Sequence, residues 1–477
     1  MEKPTLLRRI LGAVGGSINR GPRADTRPDA RKARRATELC RALLSSRGEA
    51  SGARLAREAL AAYQSLDTEA AGAFFDVLAD EFSPDAGAIV QLAEDYRRSP
   101  TQARLVRLQQ AVESPRLALF QRLNMAPGGT AQIMEMRRRV LAGLRAKPDW
   151  IGIDADLFRL LGSWFNRGFL VLQRIDWRTS AVVLEKLIKY EAVHQIQGWR
   201  DLRRRLESDR RCYAFFHPTL PDEPIIFIEV ALTRGMSASV QPLIDPDSPV
   251  CDPAAANCAM FYSITNCQEG LRGVSFGNLL IKQVAEDLGR EFPRLKTFAT
   301  LSPVPGFRAW LARTAKALAG RPGHAHIERV LARIDAPAWA TDAAQCEALE
   351  PELSRLCAQY LLMEKSGVEP LDAVARFHLG NGARLERLNW LGDTSPSGMS
   401  RSAGLMVNYV YELDEVERNH EAYANEHRVI AARRLEVLAK ESPVSAAALA
   451  APGTKHSDKP QYAHGPANPP RSIPAAP

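Results

Sequence analysis

The spacing of apolar residues divides the chain into a helical first part and a second part that mixes strands and helices. From residue 36 to about residue 164, apolar residues recur every three or four positions, which is the period of an amphipathic helix. Turn-forming segments interrupt this period at Ser99-Pro100, Ser114-Pro115 and Pro127-Gly128-Gly129. Amphipathic helices with short joins predict a bundle in which each helix buries one face. We therefore predict an all-helical scaffold or oligomerisation domain over residues 36–165.

A change of period near Gly168 marks the start of a second domain. The β-rich runs in this part are GFLVLQRI, RCYAFFHP, EPIIFIEVALT, NCAMFYSITNC and LKTFATLSPV. The segment FGNLLIKQVAEDLGREF, before the last of these runs, has the period of a helix. Strands in a meander, followed by a helix and another strand, predict an α+β domain with a crossover helix covering its sheet. We place this domain at residues 166–441.

Both ends of the chain differ in composition from the rest. Residues 1–37 contain ten Lys or Arg and three Asp or Glu, so we predict that residues 1–35 form a basic, flexible extension. An Arg-rich, acid-poor end is also typical of a mitochondrial transit peptide. High Ala and Arg usage throughout favours a bacterial cytoplasmic protein over one of the mitochondrial matrix. Residues 442–477 hold eight of the 31 prolines and few charges, which predicts a disordered, Pro-rich tail.

The composition excludes several classes of protein. The chain has 477 residues, of which 45% are hydrophobic and 25% charged, and its mean hydropathy is −0.23, as in soluble globular proteins. It has no apolar stretch of the roughly 18 residues that a membrane-spanning helix needs, so we expect no membrane partner. The net charge of +8 comes mainly from residues 1–37, and the near-neutral remainder is unlike a nucleic-acid-binding domain. The seven cysteines form no CxxC pair, which argues against a metal site and favours reduced thiols.

A glycine-rich turn between a predicted strand and a predicted helix is a candidate ligand site. Gly270, Gly273 and Gly277 lie in NCQEGLRGVSFGNLLIKQV, where main-chain amides and a helix amino end favour an anion. Arg272 and Lys282 add positive charge nearby. The turn matches neither the P-loop nor the GxGxxG pattern, and glycines in such turns often serve packing alone.

Three further residues are candidates for chemistry. Ser302 ends a predicted strand in the stiff segment SPVPG, outside any GxSxG motif, although a role in capping the turn is an alternative. His378 precedes an Asn-Gly turn whose residues would orient its ring, although a buried structural histidine is the alternative. Tyr411 lies in the strand-like run MVNYVYEL. The residues by themselves leave these alternatives open.

Several long blocks of the sequence resemble the malonyl-CoA decarboxylase family, and they occur in the family's order. They include QRLNMAPGGTAQIMEMR, RRCYAFFHPTLPDEPIIFIEVALT, AMFYSITNCQEGLRGVSFGNLLIKQV, REFPRLKTFATLSPVPGF and FHLGNGARLERLNWLGDTSPSGMSRSAGLMVNYVY. The resemblance implies a homo-oligomer, a dimer or a tetramer, formed through the helical domain. It also implies a second domain like the GNAT acyltransferases, with a mixed, splayed sheet that holds coenzyme A at a strand-to-helix turn.

The resemblance further implies roles for individual residues. The catalytic residues would be Ser302, His378 and Tyr411. The residues that bind coenzyme A would be Gly270, Arg272, Gly273, Val274, Ser275, Phe276, Gly277 and Asn278. Ser275 stands where some family members have a glutamate, so this chain lacks that carboxylate.

The expected reaction converts malonyl-CoA to acetyl-CoA and CO2. Loss of CO2 from a malonyl thioester leaves an enolate, so the site needs donors aimed at the thioester oxygen. The thioester accepts the electrons, so we expect no metal and no cofactor, coenzyme A being part of the substrate. His378, in its protonated form, is expected to deliver a proton to carbon, and Ser302 to position the substrate. The alternatives are an acyl-CoA-dependent acyltransferase and a non-catalytic acyl-CoA-binding regulator.

Overall fold

The computed structural model describes residues 28–45, 48–274, 276, 280–336 and 339–442. These residues group into two compact units. The first contains the described residues up to 304 together with 373–432, and the second contains 305–372 together with the described residues from 433. The amino-terminal helices and the main sheet therefore belong to one unit, whereas the sequence pattern predicts a boundary at residue 165. Most of the basic extension and nearly all of the Pro-rich tail lie outside the described residues.

Helices account for most of the chain from residue 28 to residue 164. They are α1 (Pro28–Ser45), α2 (Glu49–Gln64), α3 (Thr68–Glu81), α4 (Ala86–Arg98), α5 (Gln102–Val112), α6 (Pro115–Leu123), α7 (Gly129–Gly143) and α8 (Ile151–Trp164). Local sequence sets several of their starts, since the carboxylates of Asp67 and Asp85 accept main-chain N–H groups and Pro115 opens α6. The helical structure predicted for this part of the chain is confirmed.

Two of these helices differ from the rest in burial. The core of the bundle is aromatic, with ring centroids of Tyr63 and Phe74 5.4 Å apart. By contrast, neither α4 nor α5 has a buried residue within the described chain. They pack against each other as a helical hairpin, and Val90, Val106 and Val112 on this hairpin are 60%, 47% and 52% exposed.

Strands and helices alternate in the remainder of the chain. The strands are β1 (Val171–Ile175), β2 (Arg210–His217), β3 (Leu220–Thr233), β4 (Cys258–Asn266), β5 (Thr297–Thr300), β6 (Ser302–Pro303), β7 (Lys365–Ser366), β8 (Glu369–Pro370), β9 (Arg384–Asn389) and β10 (Met406–Val410). The helices are α9 (Ala181–Tyr190), α10 (Trp199–Arg205), α11 (Gln241–Ile244), α12 (Leu280–Glu291), α13 (Phe307–Ala317), α14 (His324–Ile334), α15 (Ala343–Leu362), α16 (Ala373–Gly380), α17 (Pro396–Ser402), α18 (Val416–Glu426) and α19 (Arg433–Lys440).

The main sheet is mixed, as predicted. Its strand order is β1-β2-β3-β4-β5-β10-β6, and β9 pairs with the opposite edge of β10. Strands β1 to β4 form the antiparallel meander, β5 lies parallel to β4, and α12 is the crossover helix between them. The central strands are apolar and almost wholly buried, which explains why they form near-continuous hydrophobic runs in the sequence. The α+β prediction is confirmed.

The sheet opens at the end of β5. Strands β4 and β5 pair in register from Cys258 opposite Thr297 to Phe261 opposite Thr300. Beyond this point β4 continues to Asn266, while the segment that follows β5 forms β6, which pairs with β10 instead of β4. The two halves of the sheet therefore diverge, and the divergence creates a cavity between them.

The second unit is smaller and mainly helical. It contains α13, α14 and α15, the hairpin of β7 and β8, and α19, which packs on α15. Phe307, Trp310 and Tyr360 form its aromatic centre, with the rings of Trp310 and Tyr360 5.4 Å apart. The Tyr360 hydroxyl donates to Asp372 at 3.2 Å.

Candidate active site

The cavity at the opening of the sheet has a volume of about 230 Å³. It is lined by the carboxyl half of β4, by residues 301–303 and by one face of α16. Its walls are mostly apolar, and the polar side chains among them are Tyr262, Ser263, Asn266, Ser302 and His378. Two of the three predicted catalytic residues therefore line one cavity, although they are far apart in the sequence.

Ser302 lies where β6 pairs with β10, directly opposite Val407. Its hydroxyl oxygen is 2.9 Å from His378 Nε2 and 2.9 Å from the hydroxyl oxygen of Thr300, to which it donates. Thr300 also accepts the main-chain N–H of Tyr409 at 3.2 Å, so its position is tied to the sheet. Ser302 does not cap a turn, which was the alternative role, because its side chain is buried and hydrogen-bonded to other side chains.

His378 lies on α16, with only 3% of its surface exposed. Its Nδ1 is 2.8 Å from the hydroxyl oxygen of Tyr411, and its ring stacks on Tyr409 at a centroid distance of 4.5 Å. Tyr409 lies in β10 and Tyr411 directly follows it, still bonded to the Phe298 carbonyl, so their side chains leave the sheet on the same face. The structure thus brings Ser302, His378 and Tyr411 into one hydrogen-bonded chain.

The protonation state of this chain follows from its burial. Burial lowers the pKa of His378 to about 3 and raises the pKa of Tyr411 well above its ordinary value. The imidazole is therefore neutral near pH 7, in contrast to the protonated form expected from the sequence. Because the Ser302 hydroxyl donates to Thr300, Nε2 carries the imidazole hydrogen and donates to Ser302, while Nδ1 accepts from Tyr411.

A second layer of polar side chains, which sequence reasoning missed, supports this chain. The Asn408 side-chain amide donates to the Thr300 carbonyl at 2.7 Å, and its oxygen accepts from Asn389 at 2.9 Å and from Arg387 at 3.0 Å. Asn408 is fully buried in β10. A buried Asn in an apolar strand is the sequence signal that would have found it, because such a group needs partners.

The predicted coenzyme A turn is packed against the amino-terminal helices. Gly270 and Arg272 direct their carbonyl oxygens at the guanidinium of Arg137 on α7, at 2.8 and 2.9 Å. A Cβ on Gly270 would come within 2.1 Å of the Met134 carbonyl oxygen, so this glycine serves close packing. Gly273 has φ of +82°, in the left-handed region that favours glycine.

The other predicted coenzyme A residues divide into three groups. Val274 and Phe276 line a second cavity of about 170 Å³, which shares Ile264, Asn266 and Phe377 with the first cavity. Arg272 is exposed. Ser275, Gly277 and Asn278 lie outside the described residues. Lys282, the other cation suggested by the sequence, pairs with Glu417 at 2.7 Å.

Three other observations bear on the predictions of ligands and surroundings. Across the described residues, no group of three or more His, Cys, Asp or Glu side chains has a geometry that would hold a metal ion. All seven cysteines are described, and each is a free thiol. Within the same described part, no helix is both long and apolar enough to span a membrane.

Comparison with known proteins gives consistent results. The family model for the malonyl-CoA decarboxylase C-terminal domain matches residues 168–449, and the model for the N-terminal domain matches residues 82–165. A mitochondrial malonyl-CoA decarboxylase of Anser anser anser is 36% identical over 390 residues, which are 75% of this chain and 77% of the relative. The corresponding protein of Mus musculus is 33% identical, with 75% and 79% covered.

Solved structures of similar proteins extend this result. A malonyl-CoA decarboxylase from Rhodopseudomonas palustris is 48% identical, with a TM-score of 0.81 over 85% of this chain and 99% of the other. One from Agrobacterium vitis is 47% identical, with a TM-score of 0.79 over 84% of this chain and 99% of the other. On the family models, the relatives and the shared fold together, this chain belongs to the malonyl-CoA decarboxylase family.

Proposed function

We propose that this carboxy-lyase converts malonyl-CoA to acetyl-CoA and CO2 in the cavity between β4 and β6, with Ser302, His378 and Tyr411 as its catalytic chain. The observation that carries the proposal is the pair of hydrogen bonds made by His378, 2.9 Å to Ser302 and 2.8 Å to Tyr411, at a mostly apolar cavity. All three side chains are buried, which strengthens their interactions with developing charge.

The proposed reaction begins with cleavage of the bond between the malonyl carboxylate carbon and the adjacent CH2 carbon. CO2 leaves, and the electron pair passes to the thioester carbonyl, which becomes an enolate. When substrate binds, the Ser302 hydroxyl turns from Thr300 and donates to the enolate oxygen, which leaves the His378 Nε2–H for the carbon. A proton then adds to the carbon and gives the acetyl thioester, so the reaction consumes one proton for each CO2 released.

We assign delivery of that proton to neutral His378. An enolate carbon is a much stronger base than an imidazolate anion. A neutral imidazole is therefore acidic enough to protonate that carbon. The Tyr411 hydroxyl, which donates to Nδ1 at 2.8 Å, stabilises the negative charge that the ring acquires before solvent restores its proton. The thioester accepts the electron pair itself, so this scheme needs neither a metal nor a separate cofactor.

The two neighbouring cavities suggest how the substrate lies. Ile264, Asn266 and Phe377 border both of them, so we propose that an extended chain runs from the predicted coenzyme A turn, past Val274 and Phe276, to Ser302. We propose that the nucleotide end of coenzyme A binds at that turn and that the thioester reaches His378. The apolar lining of the connection suits a narrow arm with few charges.

Product analysis tests the proposed function. Purified protein, supplied with malonyl-CoA and no acceptor, should release CO2 and acetyl-CoA in equal amounts. An acyltransferase would need an added acceptor, and a regulator would bind malonyl-CoA without turnover. Failure to release CO2 in a folded protein that binds malonyl-CoA would exclude decarboxylation, and unchanged turnover in Ser302→Ala and His378→Asn would exclude this cavity.

We further propose that the hairpin of α4 and α5 is the contact for a second copy of this chain in a dimer or tetramer. Its support is the unburied apolar face that carries Val90 and Val106. Val90→Glu with Val106→Glu should lower the mass measured by light scattering after size-exclusion chromatography. An unchanged mass would place the oligomer contact elsewhere, and the exposed Arg138→Gln on α7 is the control.

The proposed compartment is a reducing one, such as the bacterial cytoplasm. Five of the seven free thiols are buried, and burial raises the pKa of Cys212 and Cys357, which keeps them protonated and unreactive. Thiol counting with and without reductant should find all seven cysteines reduced in freshly isolated protein.

A further inference from the structure

A buried ion pair joins two helices behind the proposed coenzyme A turn. Arg137 Nε on α7 donates to Asp154 Oδ1 on α8 at 2.8 Å, and both side chains are about 2–3% exposed. Such pairs give little net stability, because removing two charges from water offsets their attraction. A second role for the Arg137 guanidinium, beyond pairing with Asp154, would explain why it is buried.

The same guanidinium also contacts the main chain of the turn. Nη1 donates to the carbonyl oxygens of Gly270 and Arg272, at 2.8 and 2.9 Å. In a trans peptide the C=O and the following N–H point in opposite directions. With the Arg272 carbonyl held toward Arg137, the N–H of Gly273 therefore points away from the helices, where it is available to an anion.

Packing around the guanidinium reinforces this orientation. Arg137 lies over the ring of Phe158 at 5.1 Å from its centroid, and a Cβ on Gly273 would be 3.5 Å from the same ring. Gly270 meets the Met134 carbonyl so closely that only glycine fits. The turn is thus held at two carbonyls and two glycines by α7 and α8.

We propose that Arg137, fixed by Asp154, is a positioning residue for the coenzyme A part of the substrate. It orients the Gly273 N–H toward the pyrophosphate and itself touches neither substrate nor reacting atoms. The proposal rests on the proposed function, which assigns that turn to coenzyme A. It makes the helical domain a part of substrate recognition as well as of assembly.

The test separates binding of the nucleotide end from chemistry at the thioester. Full-length wild type, Arg137→Lys and Asp154→Asn are compared on malonyl-CoA and on malonyl-N-acetylcysteamine, which has the thioester but no nucleotide. The lysine keeps the charge and loses the two-pronged donor, and the asparagine keeps the acceptor and loses the charge. Arg138→Gln, on an exposed neighbour that pairs with Glu135, is the matched control.

The expected result is a selective loss. Losing one charged hydrogen bond changes an equilibrium constant by about tenfold or more, so KM for malonyl-CoA should rise by at least about tenfold. The values of kcat on malonyl-CoA and of kcat/KM on the truncated thioester should change by less than about twofold. An equal loss on both substrates, or no loss on either, would overturn the proposal.

Binding keeps this test independent of turnover and of folding. The dissociation constant of acetyl-CoA, measured by calorimetry, should rise in Arg137→Lys relative to Arg138→Gln, even if the protein released no CO2. If Arg137→Lys did not fold, Asp154→Asn would decide the question, since it preserves the shape of the pair. Unchanged acetyl-CoA affinity in a folded Asp154→Asn, with Arg137→Lys unfolded, would assign the pair to stability alone and overturn the proposal.

Discussion

The neutral state of His378 predicts an unusual pH dependence. Burial lowers the pKa of this imidazole from 6.5 to about 3. At pH 5 the folded protein would then hold about 1% of His378 in the protonated form, whereas an exposed histidine would be about 97% protonated. If the neutral ring is the active form, kcat/KM should vary by less than about twofold between pH 5 and pH 8 through this group.

The same shift has a consequence for stability. Because the unfolded chain binds a proton near pH 6.5 and the folded chain does so only near pH 3, stability falls as the pH drops below 6.5. At pH 5 this histidine should lower the free energy of unfolding by about 2 kcal/mol relative to pH 7.5. His378→Asn has no group that titrates here, so its unfolding free energy should lack that decrease.

The assays are kcat/KM profiles and urea unfolding of wild type and His378→Asn, each from pH 5 to pH 8. His378→Asn should lose about 10²- to 10⁴-fold in turnover, the range for acid–base catalysis. A wild-type kcat/KM that falls about 30-fold from pH 5 to pH 8, with a midpoint of 6 to 7, would refute the reasoning. It would show that the protonated ring acts, as the sequence alone suggested.

Three further predictions follow from the site. Ser302→Ala should lower kcat by about 10²- to 10³-fold, because it removes a donor to the enolate oxygen. The double variant with His378→Asn should lose much less than the product of the two single losses. Multiplicative losses would mean that the two side chains act independently. Tyr411→Phe should lower kcat by about 10- to 100-fold, because it leaves the buried Nδ1 of His378 without its donor. The control Tyr190→Phe, which loses a hydroxyl contact to Glu223, should keep the wild-type kcat. A wild-type kcat in Tyr411→Phe would exclude the proposed tautomer. Gly273→Val should raise KM for malonyl-CoA by about tenfold or more, because it strains the turn at φ of +82°. The control Gly320→Val imposes similar strain at φ of +74° in an exposed turn and should leave this KM unchanged. A wild-type KM in folded Gly273→Val would place the phosphate contact elsewhere.

Local pattern accounts for most of the secondary structure. The segment 86–98 has the apolar period of a helix and is a helix over those residues, because Asp85 caps its start and Ser99-Pro100 ends it. Strands β2 to β4 each contain a run of apolar residues. These features depend on neighbours a few positions apart, so the sequence determines them by itself.

Only the tertiary structure decided what those elements make together. Ser302 and His378 are 76 positions apart, and Tyr411 is 33 further on, so their contacts depend on how β6, β10 and α16 assemble. The family resemblance supplied these three residues, but not Thr300, Asn408 or Arg137. Nor does any sequence pattern show that His378 is neutral, because its pKa depends on how completely the surrounding strands and helix exclude water.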